Sequence, residues 1–506
     1  MKKNLHPEGR IYKSIRNVKY GILFQTINVI MSFTNRSFMV KYLGLDAVSL
    51  HGLFWEIISM ISMAELGISF AITYNLYEPL AKNNTKKIIQ LMNVYKKAYR
   101  FIAAITLIIG SIITIFIPYI VNGINYSNKY IRIIFILYVI QSAQSYLFTY
   151  KLTLPSADQN KYMYIKIQTV LRIIGATVLI TIMITTKNFI YYLIADIFIG
   201  LFTNILSSIT VDKNYPYINN KVEKLDKKET KTLFSNIKDV FLKKLSSQIT
   251  NSTDNILISV LVGTSFVGYY ANYLSIFSVF IELEKQISSG LLASIGNLII
   301  TEDKSKVENV INKLTNIYFV FAIISSTGVY VCANPFITIW LGSKYVIDTH
   351  IIFIGCLNLF LNLAKGPIWQ AIDATGLFRQ DKYISVIGSI VNLIVSLIAG
   401  YKFGVIGIFV GTTLTLLINL VMKIVLLYKC KLKKRCKYCI IKWIKNILGT
   451  IIILISTKSI CDKFTVNNVY MEFFKNGIIA IMMPIIVTII YFSILKCKEL
   501  KKNFAK

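Results

Sequence analysis

The stretch GILFQTINVIMSFTNRSFMV, Gly21–Val40, decides how this chain is read. It is long enough to cross a bilayer as a helix. Yet Gln25, Asn28, Ser32 and the Asn35/Arg36 pair recur along it at steps of three and four, so they share one helix face. An Arg at mid-membrane costs roughly 2.5–3.5 kcal/mol on insertion scales. A spanning helix with such an edge therefore needs a wet or paired interior beside it. The next apolar segment, Leu50–Leu76, is built the same way, with Ser62, Glu65, Ser69 and Thr73 at helical spacing. A basic, amphipathic connector follows, Tyr77–Arg100.

Working outward, apolar runs near the length of a membrane span recur along all 506 residues, of which 55% are hydrophobic. We read spans at 19–40, 50–75, 100–121, 131–152, 164–186, 189–210, 241–262, 267–294, 314–336, 350–372, 383–401, 404–427, 444–461 and 475–495. Period-2 alternation is missing from these segments, which argues against a closed β-barrel. The longest polar interval, Asp212–Asn236, is too short to hold a core of its own.

The formal net charge is +32. In a soluble protein that excess suggests nucleic acid. Here it lies in loops: Asp212–Lys244 holds nine Lys, and Lys429–Lys445 holds eight Lys or Arg. The distribution marks a cytoplasmic face, places both termini there, and gives the connectors anionic membrane lipid rather than nucleic acid as a partner. The basic N-terminus carries no apolar run of its own, so no cleaved signal peptide is expected. Cys430, Cys436 and Cys439 cluster in a Lys-rich stretch without a His nearby, and free thiols are expected rather than a metal centre.

A long repeat organises the spans. Gly44-x3-Val48 recurs as Gly263-x3-Val267. Lys87-Ile88-x2-Leu91-Met92-Asn93-x5-Tyr99 recurs as Lys306-Val307-x2-Val310-Ile311-Asn312-x5-Tyr318. Gln159-Asn160-Lys161-Tyr162 recurs as Gln380-Asp381-Lys382-Tyr383. Each copy contains six spans. An even number keeps both copies in one orientation, related by an axis along the membrane normal. The expected fold is thus an all-α polytopic membrane protein. Two parallel six-helix bundles (1–235 and 236–430) surround a central cavity, and 431–506 adds two helices and a basic tail.

Several of these stretches resemble bacterial polysaccharide-repeat-unit flippases, within the multidrug/oligosaccharidyl-lipid/polysaccharide exporter superfamily. In the first half they are Ser32-Phe33-x2-Arg36-x-Phe38, Tyr42-Leu43-Gly44, Ala64-Glu65-Leu66-Gly67-Ile68 and Leu76-Tyr77-Glu78-Pro79-Leu80-Ala81. In the second they are Asp254-Asn255-Ile256-Leu257-Ile258, Gly268-Tyr269-Tyr270 and Ala293-Ser294-Ile295-Gly296-Asn297. The resemblance implies a transporter, not an enzyme. Its implied task is to move an undecaprenyl-pyrophosphate-linked oligosaccharide from the inner to the outer leaflet of the cytoplasmic membrane, with other polysaccharide-assembly proteins as candidate partners.

Such a substrate needs a hydrated, partly cationic passage, because Arg can hold pyrophosphate oxygens through paired hydrogen bonds. Arg36 is the first candidate; the bland alternative is an Arg snorkelling to the interface. Lys365 is the second, on one face with Asn358, Asn362 and Trp369. The repeat sets Asn362 and Lys365 opposite Gln141 and Gln144, although a packing network explains the same pattern. Arg172, four residues after Gln168, is a third. Gly366-Pro367 suggests a break in its span. The carboxylates Glu65, Asp196, Asp254 and Glu282 either pair with these cations or carry a coupling H⁺ or Na⁺. No other cofactor is expected. Lys423 reads as a snorkelling residue at its span's end.

Three rivals remain. A multidrug extruder of the same superfamily favours acidic rather than cationic cavity groups. A glycan polymerase or ligase needs a large outer loop offering Arg or His, but the outer loops are short and none of His6, His51 and His350 has an evident partner. A purely structural assembly protein would tolerate substitution at every candidate. No Walker-type phosphate loop is present, so direct ATP use is not expected.

Overall fold

The computed structural model describes residues 7–62, 75–220, 222, 225–226, 229 and 253–504. All regular secondary structure among them is helical. Twelve helices are long and apolar enough to cross a membrane. They match twelve of the fourteen segments read from the sequence. The first segment forms helix α1, Pro7–Tyr42, whose polar edge dilutes its hydropathy and keeps it outside those twelve. The segment at 241–262 and the candidate Glu65 lie largely or wholly outside the described residues.

Contacts divide the chain into two units, Met1–Gly268 and Tyr269–Lys506. In the first, α1 is followed by α2 (Gly44–Ile61), α3 (Thr85–Ile120), α4 (Asn128–Thr149), α5 (Tyr162–Thr186) and α6 (Phe189–Asn214). The basic connector is not a separate element. It is the first half of α3, a continuous helix of 36 residues capped by the Asn84 side chain, which accepts from the Lys87 backbone N–H at 3.0 Å. At about 1.5 Å per residue such a helix is far longer than a hydrocarbon core of roughly 30 Å. One face stays buried along its length, from Ile88 through Tyr95, Ile102 and Gly110 to Ile117. Ile88, Leu91, Met92, Tyr95, Tyr99 and Ile102 pack into one cluster with Tyr146, Leu154, Val211 and Tyr215. Further along, Phe101, Ile108, Ile112, Ile115 and Tyr119 form an exposed apolar stripe, the face a helix turns to lipid.

The sequence repeat has a backbone basis. Gly44 (φ +84°) and Gly263 (φ +132°) both adopt positive φ at the head of a helix, where a side chain would be strained. Four residues on, Val48 and Val267 are each completely buried.

The second unit contains most of α7 (Thr264–Thr301), then α8 (Lys304–Trp340), α9 (Thr349–Ala364), α10 (Gly366–Ala374), α11 (Phe378–Phe403), α12 (Val405–Leu427), α13 (Lys437–Lys463) and α14 (Val469–Phe504). Helix α8, like α3, starts on the second copy of the Lys-x5-Asn-x5-Tyr motif and runs for 37 residues. Helix α12 packs on α11 through small residues. A Cβ on Gly411 would be driven into Ser396, whose Oγ donates to the Ile408 carbonyl at 3.0 Å. Thr415 Oγ1 donates to the Gly388 carbonyl at 3.2 Å across the same seam. The expected break is present: α9 stops at Ala364 and α10 begins at Gly366, with Pro367 in its first turn, where its missing N–H costs nothing.

Candidate functional site

In the first unit the polar edge of α1 meets polar groups from four other helices. Half-buried Arg36 lies within electrostatic reach of His51 on α2, Tyr138 on α4 and Tyr192 on α6. His51 Nδ1 and Tyr138 Oη are 2.5 Å apart, and Trp55 stacks on the same imidazole at 6.4 Å between centroids. His51 therefore has a partner that sequence reading did not find. The signal was absent because Tyr138 lies 87 residues downstream.

Arg172 on α5 donates to Ser32 Oγ of the α1 edge at 3.1 Å, which ties the Gly21–Val40 stripe to a second cation. Asp196 on α6 lies within electrostatic reach of Arg172 and accepts from Gln141 Nε2 at 2.6 Å. Gln144 Nε2 donates to the Ile197 carbonyl at 2.9 Å. Both glutamines thus hold α4 against α6, the packing role weighed for them in the sequence. Arg172 and Asp196 open onto a cleft of about 290 Å³ between α1, α5 and α6, lined also by Phe24, Gln168, Thr203 and Asn204.

Asp254 stands in the helical residues 253–261, whose neighbour is α2. The carboxyl group within its reach is Glu56, and adjacent Asn255 Nδ2 donates to Glu56 Oε1 at 2.7 Å. Glu56 was not singled out in the sequence. Its signal was a carboxylate in the apolar body of α2, well past Asp46 in the first turn.

In the second unit the face read from spacing is real. Lys365 Nζ bonds the Asn362 side chain and lies 5.3 Å from the Trp369 ring centroid. Asn362 Nδ2 donates to the Asn358 carbonyl at 3.0 Å, and Asn358 is tied to α12 by the Thr413 hydroxyl at 2.7 Å. The carboxylate near Lys365 is Glu284, which also accepts from Ser288 Oγ at 2.5 Å. Glu282, two residues earlier, points to the opposite side and pairs with Lys285 at 2.7 Å on an exposed surface. A Cβ on Gly366 would meet the Tyr318 ring at 2.5 Å and collide with the Glu284 carboxylate, so only glycine lets the helix break sit this close.

Lys423 does not snorkel. Its side chain is 2% exposed and forms an ion pair with Asp381, which is fully buried. Its ammonium also lies 4.7 Å from the Trp369 ring centroid. The indole is thus flanked by two lysines. Only Lys423 is bound to a carboxylate in direct contact, because Asp381, read as part of a repeat motif, turns inward from α11.

The fold is that of a multi-pass helical membrane protein with cationic side chains on its apolar helices held by polar partners. The polysaccharide biosynthesis protein family model matches residues 14–282, more than half of the chain, and the chain belongs to that family. A probable low-salt glycan biosynthesis flippase, Agl15, of Haloferax volcanii is 22% identical over 208 residues. That match spans 40% of this chain and 43% of the relative's length. Among solved structures, the lipid II flippase MurJ in an inward closed conformation superposes with a TM-score of 0.70 at 17% identity. The alignment covers 96% of this chain and 100% of that one. An inward-facing MATE multidrug transporter of the MOP superfamily gives 0.57 at 12% identity over 81% of this chain and 98% of that one. These likenesses establish a fold shared by lipid flippases and drug transporters.

Proposed function

We propose that this protein carries a lipid-linked oligosaccharide, with an undecaprenyl-pyrophosphate anchor, across the cytoplasmic membrane for surface polysaccharide synthesis, without making or breaking a bond. The family supplies the setting. The observation that carries the reading is the choice of charge: Arg172 and Lys365 are half-buried in apolar helices, and among the described residues their side-chain hydrogen bonds go to Ser32 and Asn362 rather than to a carboxylate, while Arg36 is half-buried on the same α1 edge as Ser32. Such groups suit an anionic pyrophosphate. An extruder of cationic drugs has no use for them. Alternating access between the two repeats would expose these groups first to the inner and then to the outer side. An inside-negative potential favours outward movement of an anionic head group, by about 2.3 kcal/mol per charge per 100 mV crossed.

The test is a deletion strain. Lipid-linked oligosaccharide should accumulate on the inner leaflet and surface polymer should disappear. A wild-type copy should restore both, and Arg36→Ala or Lys365→Ala copies at equal membrane abundance should not. No accumulation in the deletion strain would end the flippase reading. Full restoration by both variants would remove these residues from the passage.

A further inference from the structure

A second cleft of the first unit lies where its helices end, apart from Arg36 and Arg172. It holds about 400 Å³, within the range of small-molecule sites. Three elements line it: Asn93 and Lys96 come from α3, Tyr150 and Lys151 from the short 3-10 turn after α4, and Asn219 and Asn220 from the end of the turn after α6. The polar groups are mostly donors. Lys151 Nζ directs two N–H bonds at the carboxylate oxygens of Asp212, at 2.8 and 2.6 Å, and an ammonium has a third to offer. Among the described residues, Lys96 and the Asn93, Asn219 and Asn220 side chains have no hydrogen-bond or ion-pair partner. Arg100, one turn beyond Lys96 on the same face of α3, lies within electrostatic reach of Tyr150. Three cations thus stand here against the one carboxylate of Asp212.

Depth selects the kind of anion. The exposed apolar stripe of α3 begins at Phe101, five residues after Lys96. At about 1.5 Å per residue, Lys96 stands roughly 7 Å outside the hydrocarbon core, within a headgroup layer that is roughly 5–7 Å thick on each side. Helix α4, with 22 residues, is long enough to cross that core and deliver Tyr150 and Lys151 to the same level. From Lys96 one face of α3 continues through Arg100 and Ala104, both exposed, to Leu107, which is 41% exposed. A phosphate seated at Lys96 therefore has an apolar surface, open to lipid, directly along the helix for its acyl chains. A soluble anion has no use for that surface.

We propose that this cleft is a binding site for the headgroup of an anionic phospholipid. Its phosphodiester sits on Lys96 and the remaining Lys151 N–H, and headgroup hydroxyls, such as those of phosphatidylglycerol, bond to the asparagine carboxamides. The bound lipid bridges the ends of α3, α4 and α6. The site is separate from the candidate passage and does not depend on the flippase reading.

The test is native mass spectrometry of the full-length protein in detergent micelles, titrated with phosphatidylglycerol or phosphatidylethanolamine. Wild type should retain one phosphatidylglycerol at concentrations that leave phosphatidylethanolamine unbound. Lys96→Gln should weaken retention about tenfold or more, the loss of one hydrogen bond to a charged group. Asn219→Asp sets a carboxylate against the phosphate and should abolish it. Both positions are at least partly exposed, so both variants should fold. Lys97→Gln is the control: it is exposed, does not line the cleft and should retain lipid as wild type does. Equal losses in Lys96→Gln and Lys97→Gln would mean a general attraction of basic surface for anionic lipid and would overturn the proposal. Phosphatidylethanolamine held as tightly as phosphatidylglycerol would overturn it as well. Glycerol 3-phosphate binding as tightly as the lipid, and lost in Lys96→Gln, would overturn the lipid in favour of a soluble phosphate ester.

Discussion

Replacing Lys423 by Met removes the positive half of the most deeply buried ion pair described in this protein. The Lys423 side chain is 2% exposed and that of Asp381 is fully buried. Met matches the length and apolar character of the lysine stem, so packing against Trp369 and along α12 is largely kept. What changes is the charge. Asp381 would remain in the α11–α12 seam without its ammonium, and breaking a buried pair from one side costs about 3–5 kcal/mol. Replacing both partners, Lys423→Met with Asp381→Leu, removes the desolvation penalty together with the attraction, and such exchanges are neutral or stabilising by about 1–4 kcal/mol. The double variant is therefore expected to be more stable than Lys423→Met alone. Denaturant unfolding of purified protein in mixed micelles, followed by tryptophan fluorescence, measures both. A Lys423→Met protein within about 1 kcal/mol of wild type, or a double variant as weak as the single, would show that the pair is not desolvated as described.

Other expectations follow from single contacts. Gly366→Ala should lose transport and stability together, because its methyl must displace the Tyr318 ring and the Glu284 carboxylate, with overpacking of this kind costing about 1–3 kcal/mol; thermal unfolding beside the restoration assay checks it. Glu284→Gln should alter transport and Glu282→Gln should not, since only Glu284 lies within reach of Lys365; equal effects would refute the distinction. Tyr215→Phe should destabilise by about 1.5–3 kcal/mol, because the hydroxyl donates to Asp158 Oδ2 at 2.7 Å in a bond to a charged group. Burial, with Asp158 beside it, pushes ionisation of the Tyr215 phenol above the ordinary tyrosine range. The unfolded chain then releases this proton first, and its contribution to stability should fall as pH rises above about 10. Above that pH wild-type stability should fall more steeply than that of Tyr215→Phe, so that the gap between the two narrows; parallel curves would refute it.

The sequence by itself determined that the chain spans a membrane many times, and where. Hydropathy over a span length is a local sum, and a helix satisfies its own backbone, so no tertiary fact is needed. The paired motifs and the helix break are equally local. The positive-φ glycines Gly44 and Gly263, the long helices beginning at Thr85 and Lys304, and the Gly366-Pro367 interruption are all written in local spacing. The Lys365 face was legible for the same reason, since Asn362, Lys365 and Trp369 lie within two turns of each other.

Only tertiary structure decided which polar groups share a partner. His51 with Tyr138, Ser32 with Arg172, Glu56 with Asn255 and Lys423 with Asp381 are separated by 87, 140, 199 and 42 residues. A charged residue near a helix end has the same sequence whether it reaches for water or for a buried carboxylate. The choice depends on whether another helix brings an opposite charge to that depth, which no local pattern records. Lys423 was misread for this reason, and Glu56 was passed over although it lies in the apolar body of α2.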